Sequence, residues 1–577
     1  MYKKGIHFTD TLFYYQDTVM KNQDIETHIE SEIRTSKDAG IEDLYISQKG
    51  IFLTERLARI QEAVDKKGVG EGQGFLLMVL YIFQFIKNES FLVDKILSYL
   101  SFTGWPLKRF SPLLDKNSFE EKIKLAVDIY NQIYKKIGFT HDEAASIQGL
   151  YNELRLNINR EDELRLLNVK AKKNYSQLGI GCDFERRRLI KALADKNGRR
   201  IKLNLQNIAI IPTELCPNNC RFCLSPWKAD ASERGGRADK DYLELMDKII
   251  WFAEDKKITL TITGGEPFLE MERVLYLLKR CKTRIEATTS GIWADEKEKT
   301  EDILKRINEA VKDKNFILQM SLDAFHQEII VKDSILSENV PLNNIANIIE
   351  ISQKKFPNIM LCLLLKYTRY PDPFVRLLKG LEARGFKWSL KDKQFDPRLN
   401  VPVAGADGSL TMRPALQKAF LKLENTHPQA KPIFIMYTQI ERIGKAVLLE
   451  DFEFPAHKER LQRFLNEKDS SEKFPLSNIE VSDDGNVYPE AYSLYSWCLG
   501  NIWETSLEEI YKLAEYDPLI IALAEEPVRI KDIAFRLKPE LYEEVKGLSS
   551  PMTALYKMLE DPEMRLKITE ELISPSP

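Results

Sequence analysis

Apolar residues recur at intervals of three and four from Phe8 to about Ala194, the period of helices with one buried face. Phe119–Tyr134 shows it plainly, with Ser118 placed as an N-cap and Glu121 three positions into the helix. Thr140 is placed to cap a helix over Asp142–Asn157, and Glu161–Tyr175 reads as another. Gly74–Ile86 is apolar almost throughout but shorter than the ~20 residues of a membrane span, so it reads as a buried helix. A turn at Asp195–Arg200 closes this region. From Asn207 the rhythm changes to short β runs separated by helical stretches: Ile208–Ile211, Ile258–Thr263, Arg284–Thr289, Phe316–Leu322, Ile359–Lys366 and Lys387–Leu390. Strands alternating with helices predict a parallel sheet.

Beyond residue 400 come a loop at Ala404–Gly408, helical runs around Leu416–Leu423 and Phe434–Leu449, and two alternating runs in Asn478–Glu490 around an Asp-Gly turn, hence a hairpin. Leu499-Gly-Asn-Ile502 follows, then a helix capped by Thr505 or Ser506. The pattern divides the chain into an all-helical domain over 1–205, an α/β barrel core over 206–400 and an α+β extension over 401–577.

Charge changes this picture little. With 84 Lys and Arg against 87 Asp and Glu, the formal net charge is −3, so no basic footprint for nucleic acid stands out, and no segment reads as a membrane anchor. Seven cysteines without a dense disulfide framework, and no leader at Met1-Tyr-Lys-Lys, predict a reducing cytoplasm. His7, His28 and His141 stand alone, and Cys182, Cys281 and Cys362 are too scattered to form a set; structural roles suit them.

Three cysteines form the exception. Cys216, Cys220 and Cys223, in Pro212-Thr-Glu-Leu-Cys-Pro-Asn-Asn-Cys-Arg-Phe-Cys223, gather three thiols on one short loop. Structural zinc takes four ligands, yet the next cysteine is Cys281 and the next histidine His326. Three ligands leave one iron of a cubane cluster open, while a redox pair Cys220–Cys223 is the bland alternative. Downstream lies Leu260-Thr-Ile-Thr-Gly-Gly-Glu-Pro-Phe268, with glycines that permit close approach to a ligand or simply make a tight turn, a proline that stiffens it, and a carboxylate able to accept from an ammonium.

Together the cysteine triad and the Gly-Gly-Glu-Pro element resemble the radical S-adenosylmethionine (SAM) superfamily over about 200 residues. The resemblance implies a partial (β/α)6 barrel with one [4Fe-4S] cluster on Cys216, Cys220 and Cys223, and SAM bound at its open iron. It implies SAM contacts at Gly264, Gly265, Glu266 and Pro267 and places Phe222 near the adenine. Thr288-Thr-Ser-Gly291 is similar to the family's third-strand Thr-Asn-Gly with Ser290 for the asparagine, and Ser321-Leu-Asp-Ala324 to its fourth-strand Ser-Leu-Asp-Gly with Ala324 for the glycine. Ser290, Ser321 and Asp323 are therefore SAM-site candidates; a helix cap for Asp323 and strand-end packing for Ser321 are the structural alternatives. Arg369 is a further residue open to either a SAM carboxylate or solvent.

The hairpin, Leu-Gly-Asn-Ile and helix resemble the SPASM and Twitch extensions of the same superfamily, but Tyr488-Pro489-Glu490 stands where those have Tyr-Pro-Cys. With only Cys498 nearby, a second cluster lacks its ligands. What is implied is an enzyme that cleaves SAM reductively and abstracts hydrogen from a substrate, with flavodoxin or ferredoxin as electron donor. A peptide or protein substrate, hence a precursor peptide as partner, is favoured by the Twitch-like tail; a sugar or amino acid derivative is the alternative, and a non-enzymatic iron-sulfur module a third that leaves Gly-Gly-Glu-Pro unexplained. Cys498, as a thiol hydrogen donor, and His326, as acid or base, are the candidates for steering the substrate radical.

Overall fold

The computed structural model describes residues 71–85, 107–116, 119–134, 185–218, 220–223, 239–312, 314–332, 335–368, 372–404, 410–440, 458–467, 472–490, 497–548 and 550–574, with isolated residues elsewhere. The helices expected over Asp142–Asn157 (Tyr151 excepted) and Glu161–Tyr175, and Ser118, His7, His28, His141, Cys182 and Arg369, lie outside them. The chain forms two compact units. The first comprises Met1–Leu166, Ile329–Ser337 and Val401–Arg413. Its described helices are α1 (Glu71–Phe85) and α2 (Phe119–Tyr134), with a 3-10 stretch at Leu107–Asp115. Leu76, Leu77, Val79, Leu80, Ile82 and Phe83 are buried on every side of α1, the buried helix that its apolar run predicts. The Phe75 ring lies 5.9 Å from Phe110 and 5.6 Å from Tyr130, closing the three elements over one core.

The second unit holds the sheet. Strands β1 (Asn207–Ile210), β2 (Thr259–Ile262), β3 (Ile285–Thr289) and β4 (Phe316–Ser321) belong to it; next in the chain is a two-stranded sheet of the first unit, β5 (Ile329–Lys332) with β6 (Ile335–Glu338). Then come β7 (Met360–Lys366), β8 (Trp388–Ala404), β9 (Leu410–Leu423), β10 (Ile433–Thr438), β11 (Asn478–Val481), β12 (Asn486–Tyr488) and β13 (Gly500–Asn501). The large sheet runs β13-β12-β11-β1-β2-β3-β4-β7-β10-β9-β8. From β11 to β10 every neighbour is parallel, in registers such as Ile208 with Leu260 and Leu318 with Leu361. Five helices make the crossovers: α3 (Asp239–Lys256), α4 (Met271–Arg280), α5 (Lys297–Val311), α6 (Leu342–Lys355) and α7 (Pro373–Ala383). This is an incomplete α/β barrel whose strand C-termini share one end, the end that bears ligands in such folds.

Three expectations are corrected. Phe434–Thr438, the start of the helical run expected around Phe434–Leu449, is strand: it lies in β10, where Ile433 and Ile435 alternate as buried residues. The sixth parallel place beside β7 belongs to β10, with Leu363 opposite Ile435, whereas the run at Lys387–Leu390 opens the edge strand β8. Leu416–Leu423 is not helical but part of β9, antiparallel to β10. Its apolar residues satisfy both templates: Leu416, Ala419, Phe420 and Leu423 fit a helix, while Ala419, Leu421 and Leu423 alternate with Phe420 and Lys422 as a strand. The open edge of β10 decides between them, and the alternating set is what is buried.

The expected hairpin is β11 and β12, with Gly485 at φ +85° in the turn. Its first strand also pairs parallel with β1, tying the C-terminal region to the barrel. Seven short helices complete the unit: α8 (Lys458–Asn466), α9 (Leu507–Ala514), α10 (Pro518–Glu525), α11 (Pro527–Leu537), α12 (Leu541–Val545), α13 (Pro551–Met558) and α14 (Pro562–Ile573). Ser506, rather than Thr505, caps α9 by accepting from Glu509 N. Residues 185–195 are helical as well. Arg186 there meets Asp517 at 2.5 Å, and Asp183 meets Arg565 at 3.1 Å, all four side chains being buried.

Candidate active site

Two loops leave neighbouring strand ends. The chain after β1 runs into the cysteines, and the chain after β2 makes the Gly-Gly-Glu-Pro turn. Backbone hydrogen bonds zip the two together: Gly265 N donates to Thr213 O at 2.9 Å and Glu266 N to Leu215 O at 2.7 Å. This approach explains both glycines. A Cβ on Gly265 would lie 2.1 Å from Leu215 O, and one on Gly264, whose φ is +121°, would lie 2.7 Å from Ile211 Cγ2 and 2.8 Å from Thr213 O. The contact that demands glycine here is with the cysteine loop's own backbone. Pro267 then starts a 3-10 turn, Pro267–Glu270, whose N-cap is Glu266.

Glu266 is 1% exposed, and its carboxylate accepts four hydrogen bonds. Oε1 takes Thr289 Oγ1 at 2.8 Å and Phe268 N at 3.3 Å; Oε2 takes Ser290 N at 2.9 Å and Ser290 Oγ at 2.5 Å. Thr289 Oγ1 accepts from Gly291 N and Trp293 Nε1, both at 2.9 Å, so its own proton goes to Glu266. Ser290 Oγ accepts from Asn218 Nδ2 at 2.8 Å. A buried polar network thus joins the cysteine loop, the Gly-Gly-Glu-Pro turn and the end of β3. Burial pushes the Glu266 carboxyl above its ordinary range, opposed by these donors.

The three cysteines form no disulfide. Burial pushes Cys216 up to about 12; the Asn218 backbone N–H opposes this, while Glu266, Cys220 and Cys223 add to it. Cys220 Sγ accepts from Asn339 Nδ2 at 3.5 Å. Among the described residues no three His, Cys, Asp or Glu side chains converge closely enough to hold a metal ion as they stand. Beyond the end of β4, Asp323 Oδ1 accepts from Phe325 N and His326 N, and Oδ2 meets His326 Nδ1 at 2.8 Å. Burial disfavours charge on both, yet the pair keeps Asp323 low and, with Cys220, holds His326 well above the usual histidine range. The Phe222 ring packs against Phe325 at 5.3 Å and edge-on to His326 at 5.2 Å. Ser321 ends β4, half-buried, in register with Leu364.

Residues 210–378 match the radical SAM superfamily. The chain carries a radical SAM domain. With it the chain is an enzyme, and the superfamily implies a [4Fe-4S] cluster and SAM. No curated protein matches the chain. Solved structures similar to it include SuiB of Streptococcus suis bound to precursor peptide SuiA, at 11% identity over 72% of this chain and 83% of that one, TM-score 0.34. Native anSMEcpe with bound AdoMet matches at 14% over 63% and 99%, TM-score 0.32, and its histidine-tagged form at 14% over 64% and 96%, TM-score 0.31. These likenesses are too slight to argue from.

The radical SAM domain brings most sequence candidates to one end of the sheet: the cysteines, Phe222, Gly264 to Pro267, Ser290, Ser321, Asp323 and His326 lie at or just beyond the ends of β1 to β4. Cys498 does not join them. It precedes β13, the edge strand three places from β1, where Gly500 is in register with Val487. Its thiol donates to Gly500 O at 3.3 Å and its N–H to Asp183 at 3.3 Å, and burial raises its pKa. Asn218, Thr289, Trp293 and Asn339 were not singled out from the sequence. Asn218 carried a signal in its place between Cys216 and Cys220, and Thr289 in its place within Thr288-Thr-Ser-Gly291.

Proposed function

We propose that this chain holds one [4Fe-4S] cluster on Cys216, Cys220 and Cys223 and uses it with SAM to abstract hydrogen from a peptide or protein substrate. The observation that carries the reading is the zipped pair of loops: the backbone that leads into Cys216, at Thr213 O and Leu215 O, leaves no room for a Cβ on Gly264 or Gly265. The donor set fits the group: burial, with Glu266, Cys220 and Cys223 close by, disfavours ionisation of the Cys216 thiol, and a thiol so placed becomes a thiolate beside a cation. When bound, the cluster and SAM supply one-electron cleavage of SAM to methionine and a 5′-deoxyadenosyl radical.

The residues of this chain supply the rest. Cys216, Cys220 and Cys223 bind; Glu266, Ser290 and Thr289 hold the two loops in register; Phe222 and Phe325 exclude water from the side facing His326. The Asp323–His326 pair is the proton-holding group beyond β4. The peptide reading rests on the Twitch-like tail, and the electron would come from a flavodoxin or ferredoxin in a reducing cytoplasm. No helix among the described residues is long and apolar enough to cross a membrane.

Anaerobic reconstitution tests the reading. Wild type is expected to hold about four irons and, with dithionite, to release 5′-deoxyadenosine and methionine; replacing the three cysteines by Ala removes both the iron and the cleavage. About eight irons, or iron retained by the triple variant, would overturn it. Deuterium transfer into 5′-deoxyadenosine from a labelled metabolite, and not from any labelled peptide, would reassign the substrate.

A further inference from the structure

We infer that the side-chain oxygen of Asn218 is the acceptor for the ammonium of the bound cofactor, and that Glu266 serves as the anchor that aims it. The inference rests on the proposed SAM reading and concerns which residue meets which atom. The Glu266 carboxylate has no acceptor site to spare, since four protein donors, two of them backbone N–H groups, already occupy it. Asn218 is the converse case. It is 8% exposed, its Nδ2 is committed to Ser290 Oγ, and its Oδ1 is buried without a hydrogen-bond partner.

The network settles which way the amide points. Ser290 Oγ gives its only proton to Glu266 Oε2 at 2.5 Å, so toward Asn218 it can only accept, and the NH2 must face it. The oxygen is therefore left over. A buried amide oxygen without a donor costs about as much as a lost hydrogen bond, and a charged N–H group is the strongest donor to fill it. The Asn218 backbone N–H also hydrogen-bonds the Cys216 thiol. The orphan oxygen thus belongs to the residue that touches a cluster-binding sulfur, where a cofactor on the open iron would lie.

The measurement is equilibrium dialysis of anaerobically reconstituted full-length protein against SAM and against an analogue with hydrogen in place of the amino group. Wild type is expected to prefer SAM. Asn218→Ala and the near-isosteric Asn218→Leu are expected to weaken SAM binding by about ten- to a hundredfold, to leave the analogue's affinity unchanged, and so to erase the preference at wild-type iron content. Either variant holding its iron and the wild-type preference overturns the assignment. Loss of iron in both also overturns it, by making Asn218 a folding residue of the loop. Wild type that binds neither iron nor SAM would instead sink the cofactor reading itself.

Discussion

Gly265 has the least freedom of any residue at the site. Replacing it by Val puts a Cβ where Leu215 O already stands, 2.1 Å away, and backbone on both sides cannot move without opening the zip. The expected result is loss of bound iron together with about 1–3 kcal/mol of stability, read by iron assay and denaturant unfolding. A Gly265→Val protein with full iron would show that the loops do not depend on this contact. Glu490 is a different kind of residue. It occupies the left-handed region at φ +68°, is 6% exposed, and burial pushes its carboxyl from 4.5 to about 7. Because the folded value lies above the unfolded one, its contribution is fully present below about pH 4.5 and is lost as pH rises through 7. That fall amounts to roughly 3 kcal/mol. Glu490→Gln should flatten the slope of stability between those pH values, and an unchanged slope would place its origin elsewhere.

At the scale of elements, β10 decides how far the parallel sheet extends. Ile435 is 0% exposed and pairs with Leu363 on one side and Ala419 on the other. Ile435→Ala is expected to cost about 2–5 kcal/mol, measured by denaturant unfolding; a cost under about 0.5 kcal/mol would mean that the strand packs less tightly than its neighbours. The barrel strands β1 to β4 and β7 were legible because each is a short apolar run between helical periods. β9 was not, because its apolar spacing fits two periods at once and only a waiting strand edge selects one.

For the second unit as a whole, the buried charges join the helical segment 185–195 to the last helices of the chain. Arg565, with 0% side-chain exposure, depends on Asp183 for three contacts of 3.1–3.2 Å. Asp183→Ala leaves a buried guanidinium without its carboxylate and should cost about 3–5 kcal/mol. Trp497, over which Arg186 lies at 5.3 Å, offers a fluorescence reading of that loss. Unfolding at the wild-type denaturant midpoint would show that the pair contributes nothing net.

The sequence by itself determined the chemistry and the strands that carry it. Three thiols at spacings of three and two, and Gly-Gly-Glu-Pro after an apolar run, are local patterns whose meaning does not depend on what packs around them. Tertiary structure decided what those residues touch. It showed that the glycines are needed by the cysteine loop, that Glu266 is saturated by protein donors, and that Asn218 is left with an unmatched oxygen. It also set Cys498 beside the edge strand β13, three strands from β1. These are contacts between segments tens to hundreds of residues apart, and their partners are chosen by strand order and register, which no local spacing encodes.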